Sequence, residues 1–137
     1  NTGTNDAFVF IKFTIPKASV RTASDNGTVS DAAVQELFDY TIDDGWTQVS
    51  HTDGADGGIY VYAYAADGDC VALEAGETTP AVFSNGKITF KNIVEGQLGT
   101  SLTIPVNAYA IQTSDITASD STVPADVWAV LSRQADL

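Results

Sequence analysis

The chain is poor in cysteine, histidine and basic residues, and it has no methionine. Cys70 is the only cysteine, so no intrachain disulfide can form and no set of thiolates can hold zinc. His51 is the only histidine. It lies in a polar stretch, with no His-Glu-x-x-His pair to bind zinc, and reads more simply as a solvated loop residue than as a general base. Six Lys and Arg stand against eighteen Asp and Glu, a formal net charge of −12, which argues against nucleic acid or an anionic lipid surface as a partner. No apolar run approaches the roughly 20 residues of a membrane span. No serine sits in a Gly-x-Ser-x-Gly elbow, and no glycine-rich loop is placed to cradle a phosphate. The chain opens on Asn1 and reads as a processed or truncated product.

What is present is a packed globule. Hydrophobic residues make up 44% of 137 residues and are spread along the whole length, enough for one domain over 1–137 with a core of its own. From Ala7 to Ile15 the residues alternate. Ala7, Val9, Ile11, Phe13 and Ile15 form a core face, and Phe8 and Phe10 mark the other. Pro16 is expected to end this strand, and Asn26-Gly27 reads as an exposed turn. Ser30 is placed to cap a two-turn helix over Asp31 to Phe38, with Val34, Leu37 and Phe38 on one side.

Asp43-Asp44-Gly45 leads into a strand over Trp46 to Ser50. The glycine-rich stretch Thr52 to Gly58 then turns into Ile59 to Ala65, completing a hairpin. Further turns fall at Asp67-Gly68-Asp69, Glu74 to Glu77 and Asn85-Gly86. Lys87 to Ile93 is a strand, and Thr100 to Gln112 a long one with Leu102, Ile104, Val106, Ala108 and Ala110 inward and a kink or an edge at Pro105. Ser119 to Thr122 reads as a polar loop, and Pro124 opens a C-terminal helix packed through Trp128. The whole is an all-β fold: a jelly-roll-like β-sandwich of about seven or more strands with two short helices.

Candidate sites follow from this layout. Tyr60, Tyr62 and Tyr64 share one face of their strand, and with Phe8 and Phe10 they are the expected interface residues if one apolar face docks onto another chain. Cover by helices or loops of the same chain is the other reading, and alternation does not choose between them. Asp53, Asp56, Asp67 and Asp69 stand among glycines, a setting that suits calcium and, more commonly, plain turns; no EF-hand spacing is present. No other cofactor is indicated. Asp43-Asp44, or Glu74 with Glu77, would suit acid–base work in a groove, but each pair falls in a turn where solvated carboxylates are ordinary.

Several segments, taken in order, resemble the TasA and camelysin family of secreted proteins, which use a dedicated signal peptidase. They are Asn1-Thr2-Gly3-Thr4-Asn5 with Ala7-Phe8-Val9-Phe10-Ile11-Lys12; Leu37-Phe38 and Trp46; Tyr60-Val61-Tyr62; Glu77-Thr78-Thr79-Pro80 with Phe83; and Ala108-Tyr109-Ala110-Ile111-Gln112 ahead of Trp128. The resemblance implies a jelly-roll sandwich secreted to the cell surface or extracellular matrix, self-associating into filaments alone or with other matrix proteins. It also implies that the N-terminal strand of one subunit completes the sheet of the next. In that family the Asn-Thr-Gly motif follows an N-terminal segment, so the strand-donating part is expected upstream of residue 1. The camelysin branch is metalloprotease-like, which makes a secreted metal-dependent hydrolase an alternative, although no zinc ligand carries over to this chain. A monomeric carbohydrate- or cell-wall-binding module, with the aromatics as stacking platforms, is the remaining reading.

Overall fold

The computed structural model describes residues 1–96, 98, 102–116 and 121–137, and over these the fold is all-β with one α-helix. The strands are β1 (Ala7–Thr22), β2 (Ala33–Glu36), β3 (Phe38–Ile42), β4 (Trp46–Asp53), β5 (Gly57–Ala66), β6 (Asp69–Cys70), β7 (Phe83–Phe90), β8 (Ile93–Gly96) and β9 (Val106–Gln112), followed by helix α1 (Pro124–Gln134). A two-stranded sheet, β3 with β7, packs against one face of the larger sheet, and the fold is a sandwich. Helix α1 covers the opposite face.

The spine is β1, sixteen residues rich in β-branched and aromatic side chains. Its first half lies between β9 and β5, with Phe10 opposite both Tyr109 and Ala63. Its second half lies between β2 and β8. Pro16 therefore does not end the strand, contrary to expectation. The N–H of Thr14 reaches the Pro105 carbonyl at 3.2 Å, and the Pro16 carbonyl accepts from Leu37 at 3.0 Å. Backbone groups alternate sides along a strand, so the missing N–H of Pro16 falls where β9 has ended and β2 takes over that edge.

Being flanked by strands, β1 buries side chains on both faces. Phe8 and Phe10 join Val61, Ala63, Ile111 and the helix residues Val127 and Leu131. Phe13 and Ile15 join Trp46 and Tyr62, with Phe38, Tyr40 and Phe83 of the smaller sheet packed on top. Phe10 and Phe13 are essentially inaccessible, and removing each from water contributes roughly 1.5–3 kcal/mol.

Two other expectations are corrected. Asp31 to Phe38 is not a helix; Ala33 to Glu36 pairs with Lys17 to Val20 as β2. Val34, Leu37 and Phe38 do not share a face, since Val34 is 72% exposed and Leu37 is 1% exposed. The Ser30 hydroxyl accepts the Thr22 N–H at 3.0 Å and caps no helix. In β9 the inward side chains are Tyr109 and Ile111, whereas Val106, Ala108 and Ala110 are exposed and Leu102 is 39% exposed; Ile104 is partly buried against the second cluster. The start of the expected strand at 100–101, and Ser119 and Asp120 of the expected loop, lie outside the described residues.

The hairpin β4–β5 forms, but β4 runs on to Asp53 and takes in His51, contrary to the expected loop; the turn at Asp67-Gly68, both residues with positive φ, forms as read. Asn85 and Gly86 also take positive φ, but as an outward excursion inside β7, where the register against β3 shifts between Tyr40 and Ile42. The C-terminal helix is present, with Pro124 in its first turn and Val127 and Leu131 buried.

Candidate assembly edge

The order β9-β1-β5-β4 leaves two lateral edges in the body of the larger sheet. Their chemistry differs. Strand β4 ends in His51 and Asp53 and carries a register shift between Gln48 and Ser50, two features that discourage a further strand. Strand β9 reads Val-Asn-Ala-Tyr-Ala-Ile-Gln, with no charge, proline or glycine in seven residues. Among the described residues no strand pairs with its outer side.

Beside this edge runs an apolar strip. Register places Val106 opposite Phe13, Ala108 opposite Ile11 and Ala110 opposite Val9, so these side chains share the face on which the smaller sheet packs. Val9 and Ile11 are only half-buried, Val106 is 53% exposed, and the two alanines are exposed and short. Tyr40 and Phe83 of the smaller sheet pack on Phe13, and Val9 and Ile11 are partly buried against the same cluster. The opposite face is closed by Tyr109 and Ile111 against α1, with Tyr109 and Trp128 in edge-to-face contact at 5.7 Å.

The expected interface aromatics lie elsewhere. Phe8 and Phe10 are buried under α1, on the sheet face opposite the tyrosines, and cannot meet a partner in this fold. Tyr62 is buried, while Tyr60 and Tyr64 are half-buried in the second cluster. Phe13 is the centre of that cluster, stacked on Tyr60 at 5.6 Å and on Tyr62 at 5.7 Å and meeting Tyr40 edge-on at 5.5 Å. Tyr60 donates its hydroxyl to Glu36 at 2.6 Å, and Tyr62 donates to Gln48 at 3.0 Å. Burial, reinforced by the Glu36 carboxylate, pushes the Tyr60 hydroxyl up to about 12; burial and the neighbouring tyrosines push Tyr40 up further. These rings act as core with polar rims. The β9 strip was missed because its alternation matches a core strand; the signal available was an uncharged strand directly after Pro105, where a sheet edge is expected.

The four aspartates do not form one site. Asp53 and Asp56 precede β5 and Asp67 and Asp69 follow it, so a ten-residue strand, about 33 Å long, separates the pairs. Asp53 contacts Lys17, whose ammonium holds its carboxyl below the usual carboxylate range. Asp69 accepts the Thr122 hydroxyl at 2.6 Å. Among the described residues no group of three or more His, Cys, Asp or Glu side chains is placed to hold a metal ion.

His51 stacks on Tyr60 at 4.3 Å with Nε2 3.6 Å from Asp53. Cys70 is buried, and burial with the adjacent Asp69 pushes its thiol up to about 11, away from the reactive thiolate. No helix among the described residues is long and apolar enough to cross a membrane. Comparison with family models, with curated proteins and with solved structures finds no match to this chain.

Proposed function

We propose that the chain is a non-catalytic structural subunit of an extracellular fibre, polymerising by strand addition at the outer edge of β9. The observation that carries this reading is that edge itself: seven uncharged residues with no strand beyond them among the described residues, flanked by the half-covered strip Val9, Ile11, Val106, Ala108 and Ala110. An open edge of this kind is an aggregation hazard unless something pairs with it, and the seven residues of β9 carry no charge or proline to guard it.

A strand added there gains main-chain hydrogen bonds along β9. Its alternate side chains gain the apolar strip, where the short Ala108 and Ala110 leave room for bulkier residues. In line with the TasA and camelysin resemblance, the donor is the segment that precedes the Asn-Thr-Gly motif in such proteins. A contact between one chain's donor and the next chain's edge is head-to-tail and does not close on itself, which yields a filament.

Electron microscopy of the natively secreted protein, at neutral pH with and without calcium, tests the proposal. Regular filaments are expected. Uniform monomers in every sample overturn it.

A further inference from the structure

We propose that Asn26 is an N-glycosylation acceptor. The inference rests on the extracellular reading above and is carried by a motif that the assembly edge does not use. The chain has six asparagines, and only Asn26 is followed at the second position by Ser or Thr, as Asn26-Gly27-Thr28. A non-proline middle residue completes the acceptor pattern.

The fold presents this tripeptide as a substrate. It forms the tip of a tight loop closed by a bridge between Ala23 and Val29, with the Gly27 N–H donating to the Ser24 carbonyl at 2.9 Å. Gly27 takes a φ of +84°, and nothing lies within 4 Å of where a Cβ would stand, so the tip is open on that side. Asn26, Gly27 and Thr28 are all exposed. The Asn26 side-chain oxygen accepts the Thr28 N–H at 3.0 Å and the Ser24 hydroxyl at 2.5 Å. These bonds engage only the side-chain oxygen and so orient the amide, whose Nδ2 is the atom that must react.

The chemistry is a group transfer from a lipid-phosphate-linked oligosaccharide, catalysed in trans by a transferase. Asn26 Nδ2 bonds to the anomeric carbon as that carbon's bond to the phosphate oxygen breaks; the lipid phosphate leaves with the electron pair, and Nδ2 releases one proton to the transferase's base. The Thr28 hydroxyl, exposed two residues on, is the recognition handle.

The position is compatible with assembly. β9 pairs with β1 only as far as Phe13, and Thr22 lies nine residues further along the same strand, up to about 30 Å away. A glycan beyond Thr22 leaves the β9 edge open, while its bulk and hydration keep that end of the subunit solvated.

Peptide mass spectrometry of the natively secreted protein is the test. The expected result is a peptide containing Asn26 that is heavier by whole sugar residues and that yields Asp at position 26 when an amidase releases the glycan. Thr28→Ala should abolish the modification completely, and Thr28→Ser should retain it. Bare Asn26 in the native protein overturns the inference, as does a glycan that persists in Thr28→Ala. The outcome is separable from that for assembly: filaments carrying unmodified Asn26 sink only this proposal, and glycosylated monomers sink only strand addition.

Discussion

The ring of Phe10 lies 5.3 Å from that of Trp128, tilted by 41°, and this contact fastens α1 to the sheet. Phe10 is 0% exposed and shares its cluster with Val127 and Leu131 of the helix. Phe10→Ala is therefore expected to cost about 3–5 kcal/mol, the transfer loss plus an unfilled cavity, and to loosen α1. Urea unfolding followed by Trp fluorescence reads both effects. A cost below about 1 kcal/mol would show that the helix does not depend on this face.

Gly57 makes a sharper test of the backbone. It has a φ of +149°, and a Cβ there would lie 2.0 Å from the Ile15 carbonyl oxygen, where β5 begins its pairing with β1. Gly57→Ala should cost about 3 kcal/mol or more, because neither the strand nor the carbonyl can move aside cheaply. Gly27→Ala, in open space at a φ of +84°, should cost only about 1 kcal/mol. Comparable losses for the two variants, in paired thermal melts, would mean that the β1–β5 spacing is not tight.

The contrast between these positions shows what was legible in the sequence. Apolar alternation in Ala7 to Ile15 and Ile59 to Ala65 reports strands, because period two has one physical cause. Turn chemistry at Asn26-Gly27 and Asp67-Gly68 reports chain reversals for the same reason. What alternation lacks is the identity of the neighbouring element. Pro16 stops a strand only if a neighbour needs its N–H, and here two neighbours meet at that point. Ala33 to Glu36 has adequate helix formers, but the open side of Lys17 to Val20 supplies a ladder, so tertiary pairing overrides propensity. The same gap hid the candidate site. Whether Tyr109 or Ala110 faces inward depends on which face α1 covers, and no local pattern carries that information.

Alkaline pH should weaken the fold through the tyrosine cluster. Tyr60 is pushed up to about 12 by burial and by its bond to Glu36, and Tyr40 is pushed up as well. In the unfolded chain a tyrosine ionises near 10. Raised folded values mean that the stability is complete below about pH 10 and is lost as pH climbs from about 10 to 12, because only the unfolded chain then releases its protons readily. Absorbance at the phenolate band, recorded alongside circular dichroism, should show delayed ionisation followed by unfolding. Tyr60→Phe should flatten part of this dependence, at a cost near neutral pH of about 1 kcal/mol for the lost Glu36 hydrogen bond. Parallel pH profiles for the variant and the parent would rule out the cluster as the cause.

The edge reading makes its own demand on two short side chains. Ala108 and Ala110 are exposed on β9 and sit across from Ile11 and Val9, so a lysine at either position projects into solvent without touching the buried core. Folding should change by about 0.5 kcal/mol or less, as for other exposed substitutions. Assembly should not survive, because a charged ammonium in the strip must be desolvated by an incoming strand, and lysine on an edge is a recognised block to strand addition. In protein purified from its native source, Ala108→Lys or Ala110→Lys should give monomers with an unchanged urea midpoint. Thr47→Lys, exposed on the opposite edge strand β4, should still give filaments. If all three lysine variants polymerise, the growing fibre does not use β9; if Thr47→Lys alone stops growth, β4 is the edge that matters.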